Sequence, residues 1–316
     1  MKRLVFALLT LLVFSSPVEA KRKIRVLYWN VQNGMWADQD KNYDNFVRFV
    51  QELNPDVCVW CEAESRYKDN VRDKIEGRHE AYLPYNWEML ARRYGHEYAY
   101  IAGKRDDFPQ IITSKVPVRI VKRINGEKDG IQVVHGSGLA SMPLGRGRDS
   151  LYIITVHTYP FKYSYGAEDQ KKSAAEGGGD RYREQELRYI VSQTLGEQAK
   201  NAKGYWMMVG DFNAVSRMDN WKLKRPEDDT AFLACDYMAN ETCFKDALGL
   251  WTPGVYQYTT LSQRRIDYVF CTPKLYDKIK SIKVLREGFA ESYRDPIAKP
   301  FCRNSDHYPI LVDFEF

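Results

Sequence analysis

Short apolar runs recur along the chain between clusters of turn-forming residues. Runs rich in β-branched and aromatic residues, bounded by glycine, proline, asparagine or aspartate, are typical of strands. Some of these runs follow one another directly and others are separated by helices, so the pattern predicts mixed sheets in an α/β protein. The predicted strands cover residues 24–29, 56–61, 97–102, 109–113, 118–124, 131–135, 150–156, 205–209, 265–270 and 308–315.

Two segments show the helical period instead. Residues 41–53 carry Phe46, Phe49, Val50 and Leu53 on one stripe, and a proline follows the segment, so an amphipathic helix is expected to end there. Residues 181–198 place Leu187, Ile190, Val191 and Leu195 on a second such stripe.

Four apolar strands end in polar or titratable side chains. "IRVLYWN" ends in Asn30, "DVCVWCE" in Glu62, "LYIITVH" in His157, and "YWMMVGDFN" in Asp211 and Asn213. Ligands of open α/β sheets bind beyond the carboxyl ends of strands, so these side chains predict a site at one edge. A single polar residue at the end of a strand is explained by its role in a turn, but four such strand ends favour a catalytic or binding site.

The spacing of Asp211 and Asn213 carries a further expectation. In extended backbone, residues two apart face the same way, so both side chains are expected to address one substrate atom. Phe212 between them is expected to point into the core.

A second carboxylate lies inside a predicted strand. Asp267 stands between Ile266 and Tyr268, where an unpaired charge is expensive to bury. "SDHYPI" begins the last strand with Ser305, Asp306 and His307, and a buried carboxylate commonly fixes the tautomer of a functional histidine. We therefore expect Asp267 to hold His307.

The amino terminus changes how the chain is divided. Lys2 and Arg3 precede an apolar run that ends near a small-residue cleavage motif at Ala20, which is the pattern of a secretory signal peptide. The run is shorter than the about 20 residues that span a bilayer. We expect residues 1–20 to be removed, residues 21–316 to form one domain, the protein to be secreted or periplasmic, and no stable membrane insertion.

Charge and cysteine content add less. Loss of the signal peptide lowers the formal net charge from +5 to +4, because two basic residues and one acidic residue leave with it. That charge is compatible with a polyanionic substrate without requiring one. An exported chain permits disulfides, and Cys235 and Cys243 are the predicted pair. Cys58 and Cys61 are three apart in a strand, so they are expected to face opposite ways as packing residues.

Taken together, these motifs resemble the endonuclease/exonuclease/phosphatase superfamily, which includes deoxyribonuclease I, apurinic-site endonucleases, deadenylases, inositol-phosphate phosphatases and neutral sphingomyelinases. The order and rough spacing of Asn30, Glu62, "TVHTYP", "GDFN", "RIDYVF" and "SDHYPI" carry the resemblance, which covers nearly all of residues 21–316. It implies a four-layer α/β/β/α sandwich of two mixed sheets with the site at one end.

The resemblance also implies roles in metal-assisted attack of water on a phosphate ester. Glu62 and Asp306 are the expected ligands of Mg²⁺, with Mn²⁺ as the alternative, because hard oxygen ligands suit these ions. Asn30 is expected to be a further ligand or a phosphate contact. Asp211 would orient or deprotonate the water, and Asn213 would hold that carboxylate or a phosphate oxygen.

The histidines are expected to assist the reaction. His307, braced by Asp267, would donate to a phosphate oxygen, and His157 would do the same or act as general acid. His79, His96 and His135 have no motif around them and are expected to be structural.

The sequence departs from the family pattern at two places. Gln32 stands where the apurinic-site branch has a metal-binding aspartate. The glutamate that braces the T-x-H histidine in deoxyribonuclease-like members has no clear counterpart, and Asp106 and Asp107 are the candidates.

Three functions are compatible with this sequence. The first is a phosphodiesterase acting on nucleic acid, with no protein partner implied. The second is an enzyme acting on a lipid headgroup or a small phosphate ester. The third is a non-catalytic binding domain of the same fold. Loops carry specificity, and the candidates are the loops of residues 158–180 and 216–229. The first loop is rich in aromatic residues and contains a glycine cluster that suggests mobility.

Overall fold

The computed structural model describes residues 22–32, 43–63, 87–103, 108–126, 130–145, 149–286 and 305–316. The predicted signal peptide lies outside these residues, as do His79, Asp106 and Asp107.

Twelve described strands form two sheets of six. The first sheet has the order β11-β12-β1-β2-β4-β3 and the second has the order β5-β6-β7-β8-β10-β9. In each sheet two neighbouring strands are parallel, β1 with β2 and β7 with β8, and the other pairs are antiparallel. The strands are β1 Lys23–Asn30, β2 Val57–Cys61, β3 Tyr98–Ile101, β4 Ile111–Ser114, β5 Arg119–Ile124, β6 Ser137–Pro143, β7 Ser150–His157, β8 Tyr205–Asp211, β9 Lys245–Asp246, β10 Asp267–Cys271, β11 Ile279–Val284 and β12 Ile310–Glu315.

Helices pack on the outer face of each sheet and at the edge of the central core. The α-helices are α1 Asp44–Leu53, α2 Trp87–Arg93, α3 Gln170–Ala175, α4 Gly178–Thr194, α5 Asn220–Leu223, α6 Leu233–Glu241, α7 Ala247–Trp251 and α8 Pro273–Tyr276. Short 3₁₀ helices lie at Gly196–Lys200, Arg217–Asp219 and Thr230–Phe232. Within the described residues, none of these helices combines the length and the apolar character that crossing a bilayer requires.

Three buried apolar clusters join the layers. The central one contains Val26 and Val59 of the first sheet together with Ile153 and Val209 of the second, so it lies between the sheets. A second cluster joins the first sheet to α1 and α2, and a third joins the second sheet to α4 and α6. The predicted α/β/β/α sandwich of two mixed sheets is therefore confirmed.

The two long predicted helices are present with shifted ends. The first begins at Asp44 and ends at Leu53, where Asn54 adopts φ 49° and its N–H caps the last turn. The second begins at Gly178 and ends at Thr194, with Leu187, Ile190 and Val191 buried as predicted.

The predicted strand at 131–135 is wrong. Residues 131–133 have no regular structure, residues 134–135 form a turn before Gly136, which has φ 67°, and the strand β6 begins only at Ser137. β6 reads "SGLASMP", and its small residues let another backbone approach closely. A Cβ on Gly138 would lie 1.6 Å from the carbonyl oxygen of Ala102.

The predicted disulfide is also wrong, because Cys235 and Cys243 are free thiols. The residues between them are not a short loop but mostly the helix α6. From Cys235 to Glu241 the helix axis extends about 9 Å at about 1.5 Å per residue, beyond the about 4.4–6.8 Å that a disulfide allows between Cα atoms. Cys58 and Cys61 behave as predicted, since they lie in different apolar clusters on opposite faces of β2.

The glycine cluster of residues 177–179 does not give a loose loop. A Cβ on Gly179 would lie 2.1 Å from the carbonyl oxygen of Phe161, and one on Gly178 would lie 2.1 Å from Oγ of Ser173. These glycines therefore let the loop after β7 pack tightly against the start of α4, and the sequence-based suggestion of mobility is replaced by close packing.

Candidate active site

The strand ends that the sequence singles out meet at one edge of the sandwich. Asn30 ends β1, Glu62 follows β2, and His157 and Asp211 end β7 and β8. His157 and Asp211 are register partners in the parallel pair, and Asp211 faces Asp267 across the antiparallel pair. Because β1 and β2 belong to the first sheet and β7, β8 and β10 to the second, both sheets contribute to the site.

Asp267 and His307 form a buried pair, as predicted. Nδ1 of His307 lies 2.8 Å from Oδ2 of Asp267, and Asp267 is fully buried. The hydroxyl of Tyr28 donates to the other oxygen, Oδ1, at 2.7 Å. Both carboxylate oxygens are thereby satisfied, and the tautomer and orientation of the imidazole are fixed.

Asn30 lies between two carboxylates. Its amide nitrogen donates to Oε1 of Glu62 at 3.1 Å and to Oδ2 of Asp211 at 3.2 Å. Its oxygen accepts from the backbone N–H of Gln32 at 3.1 Å, and since that group is always a donor it sets which way the amide faces. Both N–H groups of the Asn30 amide are therefore engaged by the two carboxylates, and its oxygen faces the N–H of Gln32, so Asn30 holds Glu62 and Asp211 in place and is poorly oriented for metal ligation.

The carboxylate of Asp211, whose pKa is raised, lies beside the charged imidazole of His307. Burial and the neighbouring charge of Asp267 raise the pKa of Asp211 to about 7, although His307 opposes the shift. Burial disfavours the charged form of His307, but Asp267 and Asp211 outweigh it and raise the pKa of His307 to about 10. Nε2 of His307 lies 3.7 Å from Oδ2 of Asp211. His307 is thus a cation at neutral pH, and Asp211 can take up or release a proton there.

His157 has the opposite electrostatic environment. It is buried, and burial together with the charges of His135 and His307 lowers its pKa well below the ordinary value. Its ring stacks on that of His135 with centroids 4.2 Å apart, and its Nε2 lies 3.9 Å from Oε1 of Glu62. A neutral imidazole at this position can hydrogen-bond a substrate but has no stored proton to give as a strong acid.

Asn213 differs from the sequence expectation. Its backbone has φ 45°, so the chain turns at this residue instead of continuing as a strand. Its N–H donates to Oδ1 of Asp211 at 2.8 Å, and its side-chain amide donates to the carbonyl of Thr158 at 3.0 Å. Asn213 therefore holds the Asp211 carboxylate through its backbone, and the expectation that both side chains face one atom through extended geometry is wrong. Phe212 is fully buried, as predicted.

Left-handed backbone recurs at this edge. Gln32, Glu62 and Asn213 have φ values of 43°, 51° and 45°, which non-glycine residues adopt only at some energetic cost. Strain of this kind is found preferentially at functional sites, where the surrounding structure imposes it.

Asp306 lies at the open side of the same cluster. Its side chain is 47% exposed, and its Oδ1 lies 3.9 Å from Nε2 of His307. The preceding Ser305 donates from Oγ to the carbonyl of Asn30 at 2.5 Å and accepts from the N–H of His307 at 2.9 Å. The start of the last strand is thereby tied to the end of β1. Contacts therefore run from Glu62 through Asn30 and Asp211 to His307 and Asp306.

The site contains carboxylates of the kind that bind a hard divalent cation. Of the described His, Cys, Asp and Glu side chains, Asp211, Asp267 and His307 lie close enough together to share an ion. In that group, however, both Asp267 oxygens accept hydrogen bonds and His307 holds a proton, so the three residues are better suited to storing a proton than to binding a metal ion. Glu62 and Asp306 offer carboxylates with access to solvent, which suits a cation that retains several waters.

Two residues of the site were missed by the sequence analysis. Tyr28 lies two residues before Asn30 on the same face of β1, and this period of two was the available signal. Glu186 of α4 is fully buried, and its oxygens accept from the N–H of Val134 at 2.9 Å and of Tyr159 at 2.7 Å. It braces the segments that carry the stacked histidines, and no sequence pattern separates it from the exposed acids of the same helix.

Comparisons with known proteins identify the family of the chain. The family model described as Endonuclease/Exonuclease/phosphatase family matches residues 27–284. A search of curated proteins gives no match.

Solved structures share the fold at low sequence identity. An AP endonuclease from Archaeoglobus fulgidus has a TM-score of 0.57 at 16% identity, covering 92% of this chain and 99% of its own. A 3′ phosphatase from Neisseria bound to product DNA hairpin has a TM-score of 0.56 at 14% identity, covering 93% and 100%. The human Nocturnin catalytic domain with bound sulfate has a TM-score of 0.56 at 13% identity, covering 93% and 96%.

The family match covers well over half of the chain, and members of this family hydrolyse phosphoester bonds and generally depend on divalent metals. Together with the two six-stranded sheets and the residues gathered at their shared edge, it establishes that the chain belongs to the endonuclease/exonuclease/phosphatase family.

Proposed function

We propose that the protein is a divalent-cation-dependent phosphodiesterase, with Mg²⁺ the favoured ion, Mn²⁺ the alternative and nucleic acid the favoured substrate. The observation that carries this proposal is the contact of the Asp211 carboxylate with the Asn30 amide, beside a charged His307. A base, a neutral donor and a cation are thereby placed around one point. Attack of water on a phosphate ester is accelerated by a positioned base and by charges that stabilise the developing oxyanion.

In the proposed reaction, Asp211 orients a water molecule and accepts its proton as the water oxygen attacks phosphorus. A pKa of about 7 suits this exchange, because the best general bases titrate near the working pH. The N–H of Asn213 holds one oxygen of Asp211 and leaves the other toward Asn30 and His307.

The donors around Asp211 would neutralise the phosphoryl oxygens. His307 donates from Nε2, since Nδ1 is committed to Asp267. Neutral His157 would supply a further hydrogen bond, and Asn30 would hold the Asp211 and Glu62 carboxylates in place. Glu62 and Asp306 would hold the divalent cation, which would supply positive charge to the phosphate and to the departing oxygen.

Replacement of Asp211 by asparagine tests the proposal. The change is nearly isosteric and removes the proton acceptor, so we expect hydrolysis to fall by about 10²-fold or more, in line with the loss of a general base. The thermal unfolding midpoint should not decrease, because a buried carboxylate of raised pKa is replaced by a neutral amide. Full activity in this variant would disprove the role of Asp211.

A substrate panel separates the proposed function from its alternatives. Plasmid DNA, RNA, sphingomyelin, inositol phosphates and bis(p-nitrophenyl) phosphate are each supplied with Mg²⁺ and, in parallel, with a chelator. We expect metal-dependent cleavage of nucleic acid and of the generic diester. Cleavage of sphingomyelin or inositol phosphates alone would support the second function, and no cleavage at all would support a binding domain.

We also propose that the protein is exported, on the basis of the pattern in residues 1–20. N-terminal sequencing of protein recovered from outside the cytoplasm should begin at Lys21. A chain that keeps Met1 and remains in the cytoplasm would contradict export without affecting the proposed chemistry.

A further inference from the structure

A charged cavity of about 250 Å³ lies beside the candidate active site. Asn213, whose N–H binds Asp211, lines one side of it. Four cations and two carboxylates also line the cavity, so its charge is net positive. The cations are Lys162, Arg183, Arg225 and Arg264, and the carboxylates are Asp180 and Asp229.

The two carboxylates are already paired. Asp180 forms an ion pair with Arg183 and accepts from the hydroxyl of Thr230 at 2.7 Å. Asp229 accepts from Arg225 at 2.7 Å.

Two cations of the cavity remain available to a ligand. Lys162 and Arg264 are exposed, and within the described part of the chain neither forms an ion pair. Arg183 is 6% exposed, and its Nε is buried without a hydrogen-bond partner. Lys162 and Arg264 are therefore the donors that the cavity offers to an anion, and buried Arg183 adds positive charge in its wall.

The cavity is connected to the reacting centre through short contacts. Nη1 of Arg183 donates to the carbonyls of Tyr159 and Phe161 at 2.9 Å each, and Asn213 donates to the carbonyl of Thr158. These carbonyls belong to the segment that directly follows His157. An anion in the cavity would thus lie next to the phosphate that Asp211 addresses.

The backbone around the cavity is held firmly. Gly178 and Gly179 pack the loop of Lys162 against the start of α4. Arg265, next to Arg264 in sequence, is buried and donates to Asp219 and Asp246 at 2.6 Å each. The opposite sides of the cavity are therefore fixed before a ligand arrives, which reduces the entropy lost on binding.

Aromatic rings beside Lys162 indicate what the anion is attached to. Phe161 and Tyr163 stack with centroids 5.4 Å apart, and Phe161 is 51% exposed. Exposed aromatic rings interleaved with a cation are typical of surfaces that bind a nucleobase and its phosphate.

We propose that this cavity binds a second phosphate of the substrate, adjacent to the phosphate that is cleaved. The assignment rests on the proposed function and specifies its substrate class, namely phosphodiesters that carry a further phosphate next to the scissile bond. Lys162 and Arg264 supply the charges and donors that reach the ligand, and Arg183 supplies a fixed positive charge in the wall of the cavity. The second phosphate is either an internal phosphate of a strand or a terminal phosphate.

Short thymidine oligonucleotides test this assignment. The thymidine dinucleotide has only the scissile phosphate. The trinucleotide adds an internal phosphate, and dinucleotides phosphorylated at the 5′ or 3′ end add a terminal one. Lys162→Ala and Arg264→Ala are each expected to raise KM about tenfold for substrates with a second phosphate, the effect of losing one charge-assisted hydrogen bond. Neither kcat nor the hydrolysis of bis(p-nitrophenyl) phosphate should change.

Lys283→Ala is the matched control, because Lys283 is an exposed lysine on β11 of the other sheet. It should leave KM unchanged for all substrates. An increase confined to the trinucleotide would assign an internal strand phosphate, and one confined to the phosphorylated dinucleotides would assign a terminal phosphate. Unchanged KM in both cavity variants, or equal losses on all substrates, would overturn the assignment.

A binding measurement keeps this result separate from that for the proposed function. Calorimetric titration of the trinucleotide into the wild type and both variants, with a chelator present, reports binding without turnover. Equal affinity of all three proteins would refute the cavity assignment even if the enzyme is active. A wild type that cleaves none of the diesters would refute the proposed function whatever the titration gives.

Discussion

Replacement of Asp267 by asparagine should move the pH range in which His307 is charged. The rise in its pKa from 6.5 to about 10 corresponds to a net stabilisation of the imidazolium by about 5 kcal/mol, left after burial has opposed the attraction of the nearby carboxylates, at about 1.4 kcal/mol per factor of ten. Asp267 accounts for most of it, since it lies at 2.8 Å and Asp211 at 3.7 Å. Asparagine keeps an oxygen for Nδ1, and its amide N–H can donate to the oxygen of the Tyr28 hydroxyl, which reverses that hydrogen bond, so the fold should persist.

The sign of the effect follows from the raised pKa. In the wild type, His307 stays protonated up to about pH 10, so its loss of charge should not limit activity near neutrality. In the variant its pKa should fall toward 6.5, and the charge is then lost as pH rises through that value. At pH 8.5 only about one hundredth of the molecules would keep it.

Two measurements check this prediction. The rate of bis(p-nitrophenyl) phosphate hydrolysis is followed from pH 5 to 9, and the variant should lose activity on the alkaline side where the wild type does not. NMR titration of the His307 ring, in a chelator, should show the lowered pKa directly. An alkaline limb identical to that of the wild type, or a ring still titrating above pH 9, would refute the reasoning.

Three further predictions concern the rest of the molecule. Arg265→Met should lower the free energy of unfolding by about 3–5 kcal/mol, because it leaves the buried Asp219 and Asp246 without their cation. Equal urea midpoints of the variant and the wild type would contradict this, and Lys283→Met, at an exposed lysine, serves as the control. Gly179→Ala should lower the thermal unfolding midpoint and displace the loop at Phe161, because the added Cβ would lie 2.1 Å from the carbonyl oxygen of Phe161. An unchanged midpoint would count against close packing there. Cys235 and Cys243 should both react with a thiol reagent in denaturant without reductant, and protection of both would restore the predicted disulfide.

The correct and the incorrect strand predictions both have physical causes. Central strands such as β2 are buried on both faces, so they read as continuous apolar runs. β6 was missed because close backbone contact at Gly138 requires small residues, which lack a strand signal. β11 was missed because a bulge between Ile279 and Ser281 breaks the alternation of its apolar residues.

The candidate site was predictable where strand ends determine position, as for Asp211. Pairings across the fold were predictable only where charge demands a partner, as for Asp267 with His307. The turn at Asn213 could not be read from spacing, because it depends on a carbonyl at Thr158 that is distant in sequence. Glu186 escaped notice for the same reason, since both of its partners come from other segments.

The division of the site between the sheets has a consequence for how the enzyme would fail. Asn30 and Glu62 are carried by one sheet, and Asp211, Asp267 and His157 by the other, with the contacts of Asn30 and His307 bridging the seam. A slip of one sheet past the other by a single ångström would break these contacts while leaving every strand paired. Heat or mild denaturant should therefore inactivate the enzyme before its circular dichroism changes. Loss of turnover would then report a displacement of the two sheets relative to each other.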